Sequence, residues 1–156
     1  RVKRAGLARN IGISNFTAAL VEEAVAVSPE PIVTNQIQFS PLFLEPISDG
    51  VLDTAIIEGH KPMIWSPVGG GRLLTGDAED VVKMRTTLEG IGKKNDLAGP
   101  AEAAVAFVVR HPAGGIPIIG SGKRERIEGA IKAVNNPLDA PTFYEVLTAR
   151  SEGLNF

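Results

Sequence analysis

The sequence contains no cysteine, which excludes disulfides, thiolate metal sites and a cysteine nucleophile and fits a reducing, cytoplasmic compartment. Histidine is nearly absent too: His60 and His111 are far apart and form no zinc-ligand spacing, so no metal is expected. Neither sign of charge dominates, with 16 basic against 18 acidic residues and a formal net charge of −2. No polyanion footprint results, and nucleic acid is excluded as an expected partner. Apolar runs such as Ala101 to Val109 fall well short of the roughly 18 to 20 residues that a membrane helix needs. A G-x-S-x-G nucleophile elbow is missing, and the P-loop pattern fails because Arg124 stands where Ser or Thr must follow Lys123. There is no initiating methionine, and the charged opening from Arg1 is too short for a secretory signal, so this start is expected to be a cut.

What is present is a chain of 156 residues, 44% hydrophobic and 22% charged, enough to bury one core. Ala8 to Ser14 reads as a strand, and Thr17 opens a helix with Leu20, Val21, Ala24 and Val25 on one face. Pro29 and Pro31 stop it, and the β-branched run from Ile32 to Phe39 is a second strand. Ser48 or Asp49 is a suitable cap for a helix whose face holds Val51, Leu52, Ala55 and Ile56. A third strand, Lys61 to Trp65, enters a glycine-rich loop from Ser66 to Gly71, followed by a helical stretch around Val81 to Lys94. Pro100 occupies a helix N1 position before Ala101 to Arg110. A fourth strand, Ile116 to Ile119, is followed by a helix from near Lys123 with Ile127, Ala130, Ile131 and Val134 on one face, and a last helix from about Ala140 to Ala149.

Four βα units of this kind mean a parallel sheet with right-handed crossovers. An open doubly wound sheet expects a G-x-G-x-x-G turn after its first strand, whereas this one ends in Ser14-Asn15-Phe16. The polar and glycine-rich segments lie at the C-terminal ends of all four strands, where (β/α)8 barrels build their sites. The expected fold class is therefore α/β, half of a (β/α)8 TIM barrel plus a C-terminal helix, with residues 1–156 forming one partial domain.

The strand ends carry a resemblance. Asn10-Ile-Gly-Ile-Ser-Asn-Phe16 resembles the GVSNF strand of aldo-keto reductases, and Thr34-Asn-Gln-Ile-Gln-Phe-Ser-Pro41 their NQ-containing next strand. The run from Ile64 to Gly76 resembles their YSPLGGG-LLTG loop, and the run from Ile116 to Ile127 their adenosine-phosphate segment. Order and spacing agree across nearly the whole chain, and Ile-Ile-Gly-Ser-Gly-Lys is most similar to the YdhF-type oxidoreductase branch. The resemblance implies strands five to eight of the barrel and an NADP cofactor.

Residue by residue, it implies that Ser14, Asn15 and Gln36 hold a nicotinamide carboxamide, whose amide needs both an acceptor and donors. The plainer alternative is that Ser14-Asn15 caps the next helix and Gln36 only pairs backbone. Trp65 is expected to stack on the nicotinamide ring. The loop Ser66, Pro67, Val68, Gly69, Gly70 and Gly71 offers unobstructed N–H groups, with Arg72 as a phosphate fork. Gly120, Ser121, Gly122, Lys123 and Arg126 sit where a strand enters a helix N-terminus, an anion-favouring place, and are expected to hold the adenosine 2′-phosphate that distinguishes NADP from NAD. Here the sequence departs from the family pattern: Gly120 replaces a frequent lysine, and Gly129 and Ala130 stand where many members have acidic and amide residues that contact adenosine.

The family's tetrad of tyrosine, lysine, aspartate and histidine belongs to the first half of the barrel, and no catalytic residue carries over. Tyr144 lies in the last helix, and His60 and His111 precede or flank the wrong strand ends. The expected parent is an NADP-dependent oxidoreductase of small carbonyl substrates, with the chain alone inactive. The alternative is a non-catalytic half-barrel module that pairs with itself or another chain through open strand edges and apolar surface.

Overall fold

The computed structural model describes residues 2–150; Arg1, on which the reading of a cut start rests, lies outside them. Strands β1 (Ile11–Ser14), β2 (Ile32–Gln38), β3 (Met63–Trp65) and β4 (Ile116–Pro117) form one parallel sheet in the order β1-β2-β3-β4. Each strand pairs with its predecessor in the chain, and the order never reverses as it does at the switch point of a doubly wound sheet. β2 and β4 begin at Ile32 and Ile116, as the apolar runs suggest, whereas β1 and β3 begin later than Ala8 and Lys61. β4 is also shorter than Ile116 to Ile119, although the Ile118 N–H still donates to the Ile64 carbonyl at 2.8 Å.

Helix α1 (Ala18–Val27) follows β1, its start capped by the Thr17 hydroxyl, which accepts from Leu20 N–H at 3.4 Å. After β2 come α2 (Glu45–Ser48), too short to leave a periodic trace, and α3 (Val51–Ile57), where Asp49 Oδ1 accepts from Val51 N–H at 2.9 Å. β3 leads into a 3-10 turn at Gly69–Gly71, α4 (Arg72–Thr75) and α5 (Glu79–Lys94). Then follow α6 (Pro100–Arg110), β4, α7 (Arg124–Asn135) and α8 (Ala140–Arg150). Among the described residues, no helix is long and apolar enough to cross a membrane.

The core centres on α6. Its residues Ala103 to Val108 are all buried, because alanine on several faces lets α5, α7 and α8 approach one short helix from different sides. Phe107 stacks on Phe143 of α8 with ring centroids 4.8 Å apart and meets Phe39, just beyond β2, at 5.4 Å.

Apolar periodicity locates α7 correctly but misjudges which face is covered. Ala130 and Ala133 are buried, whereas Ile127, Ile131 and Val134 are 41%, 56% and 41% exposed. Leu20 of α1 behaves likewise at 44% exposed. Both helices flank the two ends of the sheet, where a neighbour exists on one side only.

Both histidines are partly or wholly withdrawn from water. His60 is 4% exposed, and neither ring nitrogen has a partner among the described residues. His111 accepts from Ala113 N–H through Nδ1 at 3.3 Å. Desolvation pushes both below the ordinary histidine range, against the opposing charges of Glu58 and Asp53 respectively. The unfolded chain, titrating near about 6.5, therefore binds more protons as pH drops, so their contribution is intact above that value and declines below it. Urea midpoints should fall between pH 7.5 and 5.5, and less so in His60→Leu. Asp80 and Asp139, held below the usual carboxylate range by Arg150 and by Thr142, act only at lower pH. A flat profile across that window would contradict buried neutral imidazoles.

Candidate functional site

The C-terminal ends of β1 and β3 both turn out of the sheet through strained backbone. Asn15 has φ 56° and Ser66 has φ 54°, left-handed values that only asparagine among these two adopts readily. Buried Asn35 of β2 holds the first turn. Its Nδ2 donates to the Phe16 carbonyl at 2.9 Å, and its Oδ1 accepts from Phe16 N–H at 3.3 Å. Asn15 in turn accepts from the Trp65 indole N–H at 3.0 Å, so a hydrogen bond joins the two strained strand ends.

The glycine-rich segment after β3 is not a slack loop. Gly69, Gly70 and Gly71 have φ of 61°, 64° and 90°, conformations that a side chain would oppose. Gly69 N–H donates to the Ser66 carbonyl at 2.8 Å and Gly71 N–H to the Val68 carbonyl at 3.1 Å, so two of the three glycine donors close the turn itself. Nothing lies within 4 Å of where a Cβ at Gly71 would be, which leaves that backbone open to a ligand.

A cavity of about 570 Å³ runs from this turn to the start of α7. Of the residues expected from sequence it gathers Trp65, Ser66, Pro67, Val68, Gly70 and Gly71 on one side. Gly120, Ser121 and Arg126 stand on the other. Ser14, Asn15, Gln36, Gly69, Arg72, Gly122 and Lys123 do not line it. Asn15 borders it through Trp65, while the Ser14 hydroxyl donates to the Gln36 carbonyl at 3.2 Å in the β1–β2 register. Arg72, expected as a phosphate fork, instead turns back so that its Nε donates to the Gly69 carbonyl at 3.4 Å. At the head of α7, Arg124 pairs with Glu128 at 2.8 Å. Lys123 and Arg126 have no ion-pair partner among the described residues.

Sequence reasoning missed the α6 wall. Ala101, Glu102 and Val105 line the cavity from a helix whose strong apolar pattern marks it only as core. Glu125 also lines it, next to Arg126, as do Gly129 and Ala130, the two positions where the sequence departs from the family pattern. The cavity thus offers a flat aromatic face with its N–H tethered, open glycine backbone, and at a helix N-terminus Arg126, which has no ion-pair partner among the described residues. Such a set suits an extended ligand with a planar ring at one end and phosphate further along.

The chain matches the aldo/keto reductase family over residues 1–148. It is 38% identical to the uncharacterized oxidoreductase YcsN of Bacillus subtilis over 148 residues, covering 95% of this chain and 49% of that protein. It is 35% identical to the oxidoreductase YdhF of Escherichia coli, covering 83% and 43% respectively. The crystal structure of a thermostable aldo-keto reductase, Tm1743, superposes with a TM-score of 0.82 at 28% identity, covering 95% of this chain and 51% of that one. The chain spans about half the length of the curated relatives it matches. With the family matched along almost its whole length and the same fold in a solved member, this chain belongs to the aldo/keto reductase family.

Proposed function

We propose that the chain is the cofactor-binding half of an aldo-keto reductase barrel, its four strands serving as strands five to eight, and that the site takes NADP. One observation carries the reading: a single cavity joins Trp65, the open glycine turn and the Ser121–Arg126 helix start. The lining offers a partner for each part of a dinucleotide. Trp65 presents the ring face for the nicotinamide, the Gly70–Gly71 backbone the approach for the pyrophosphate, and Ser121, Lys123 and Arg126 the 2′-phosphate cradle. Bound there, NADPH would supply hydride to the carbonyl carbon of a small aldehyde or ketone in a cytoplasmic parent enzyme. The chain's own residues position the cofactor and shield one of its faces. The proton donor and its tuning partners belong to the other half of the barrel, so the chain alone is inactive in this reading.

Glu125 places a carboxylate on the same rim as Arg126, so the preference for the extra phosphate depends on Lys123 and Arg126 together. Titration followed by Trp65 fluorescence is expected to show quenching by NADPH at lower concentration than by NADH. Lys123→Ala and Arg126→Ala should each weaken NADPH by about tenfold, the worth of one charge-assisted contact, and leave NADH nearly unchanged. No quenching by either nucleotide in a cooperatively folded chain would overturn the cofactor reading.

A second reading, a non-catalytic half-barrel that pairs with itself or another chain, draws on the uncovered faces of α1 and α7. Leu20, Ile127, Ile131 and Val134 form apolar surface at opposite ends of the sheet. The missing half of a barrel would cover both ends at once, which is why the first reading is preferred.

A further inference from the structure

We infer that Glu102 is the residue that selects the nucleobase of the cofactor, by accepting a hydrogen bond from the exocyclic amine of adenine. The inference rests on the cofactor reading above and extends it to the wall of the cavity formed by α6. Glu102 is half-buried there, with the small apolar residues Ala101, Val105, Ile119 and Ala130 around the same space. A slot of that lining fits a flat heterocycle.

The carboxylate is fixed by one hydrogen bond and admitted to its place by a glycine. Its Oε2 accepts from Ala98 N–H at 2.9 Å, the usual fixing of an N3 glutamate against the residues before its helix. Its Oε1 occupies the space that a Cβ at position 129 would fill, so the absence of a side chain at Gly129 is what lets the carboxylate lie against α7 at the edge of the cavity. Sequence places no acidic or amide group on α7 at positions 129 and 130. The geometry points to an acceptor supplied across the helix interface from α6. Ionised glutamate can only accept, so it favours an amino group at the purine 6-position and repels a carbonyl there.

The test compares NADPH with reduced nicotinamide hypoxanthine dinucleotide phosphate, which has a carbonyl in place of that amine and a hydrogen on the adjacent ring nitrogen. Binding is read from Trp65 fluorescence rather than turnover. The wild-type chain is expected to prefer the adenine form by about tenfold or more. Glu102→Gln keeps an oxygen for Ala98 N–H and turns an amide N–H2 toward the base, so the preference should vanish or reverse. Gly129→Ala, which displaces the carboxylate without removing its charge, should reduce it as well, and thermal midpoints confirm that both variants fold. Equal binding of the two dinucleotides by the wild type, or an unaltered preference in both variants, overturns the role of Glu102 while leaving the cofactor reading intact. Binding of neither overturns both.

Discussion

Phe107→Ala is expected to destabilise the chain by about 3–5 kcal/mol in urea denaturation, the range for deleting a large aromatic from a packed core. Phe107 has 0% exposure and is the middle member of a ring series. It lies 4.8 Å from Phe143 at an interplanar angle of 15° and 5.4 Å from Phe39 at 41°. His111 closes the group, 6.2 Å from Phe39 edge-on and 6.3 Å from Phe143. Removing the middle ring takes away contacts to β2's end, to α6 itself and to α8 together. Neighbouring alanines cannot move in to fill the space, since Ala103, Ala104 and Ala106 are already fully buried with short side chains. Domains of ordinary stability have about 5–15 kcal/mol in total, so the variant should be close to its unfolding threshold at physiological temperature. A loss below about 1 kcal/mol would mean that α8 is not held by this stack.

Asn35→Ala should cost about 2–4 kcal/mol, a large effect for a polar residue, because it leaves both the N–H and the carbonyl of Phe16 without their partners. Asn35 has 0% exposure, so water does not readily replace its amide. The consequence reaches the site through the chain. Phe16 follows Asn15, whose left-handed conformation is costly unless its surroundings impose it, and Asn15 holds the Trp65 indole. Nucleotide quenching of Trp65 should therefore weaken in Asn35→Ala under conditions where the variant remains folded. Stability loss without any change in nucleotide affinity would separate the clamp from the site.

The parts of this cavity's lining expected from sequence rest on the strand-end motifs and the family they resemble, not on residue type alone. Trp65 at a strand end, three successive glycines and a basic helix start are informative as parts of those motifs. Their neighbours show the limits of that reading. Arg72 has the right chemistry for a phosphate, yet its guanidinium is drawn back to the Gly69 carbonyl by a turn that no local pattern describes. Asn35 stands next to Gln36 in the same motif, and only burial reveals that it is a backbone clamp. Glu102 matters because α6 crosses α7 where Gly129 makes room, a relation between positions remote in sequence. For the fold, strand and helix order follow from periodicity. The apolar stripe of α7 shows that periodicity identifies a face without saying what covers it.

The pairing order of the sheet also bears on how the protein forms. β1 meets β2 across α1, and β2 meets β3 across α2 and α3, but β4 must wait for α4, α5 and α6, with Met63 pairing to Ile116 across the longest stretch of chain. Closing that span carries the greatest loop entropy in the sheet, and it is rewarded by the shortest strand, two residues long. The cooperative unit built from β1 to β3 and α6 can therefore be complete before β4 docks. An anion held at the start of α7 would then act as the last fastener of the fold, tightening the edge that the chain itself secures least.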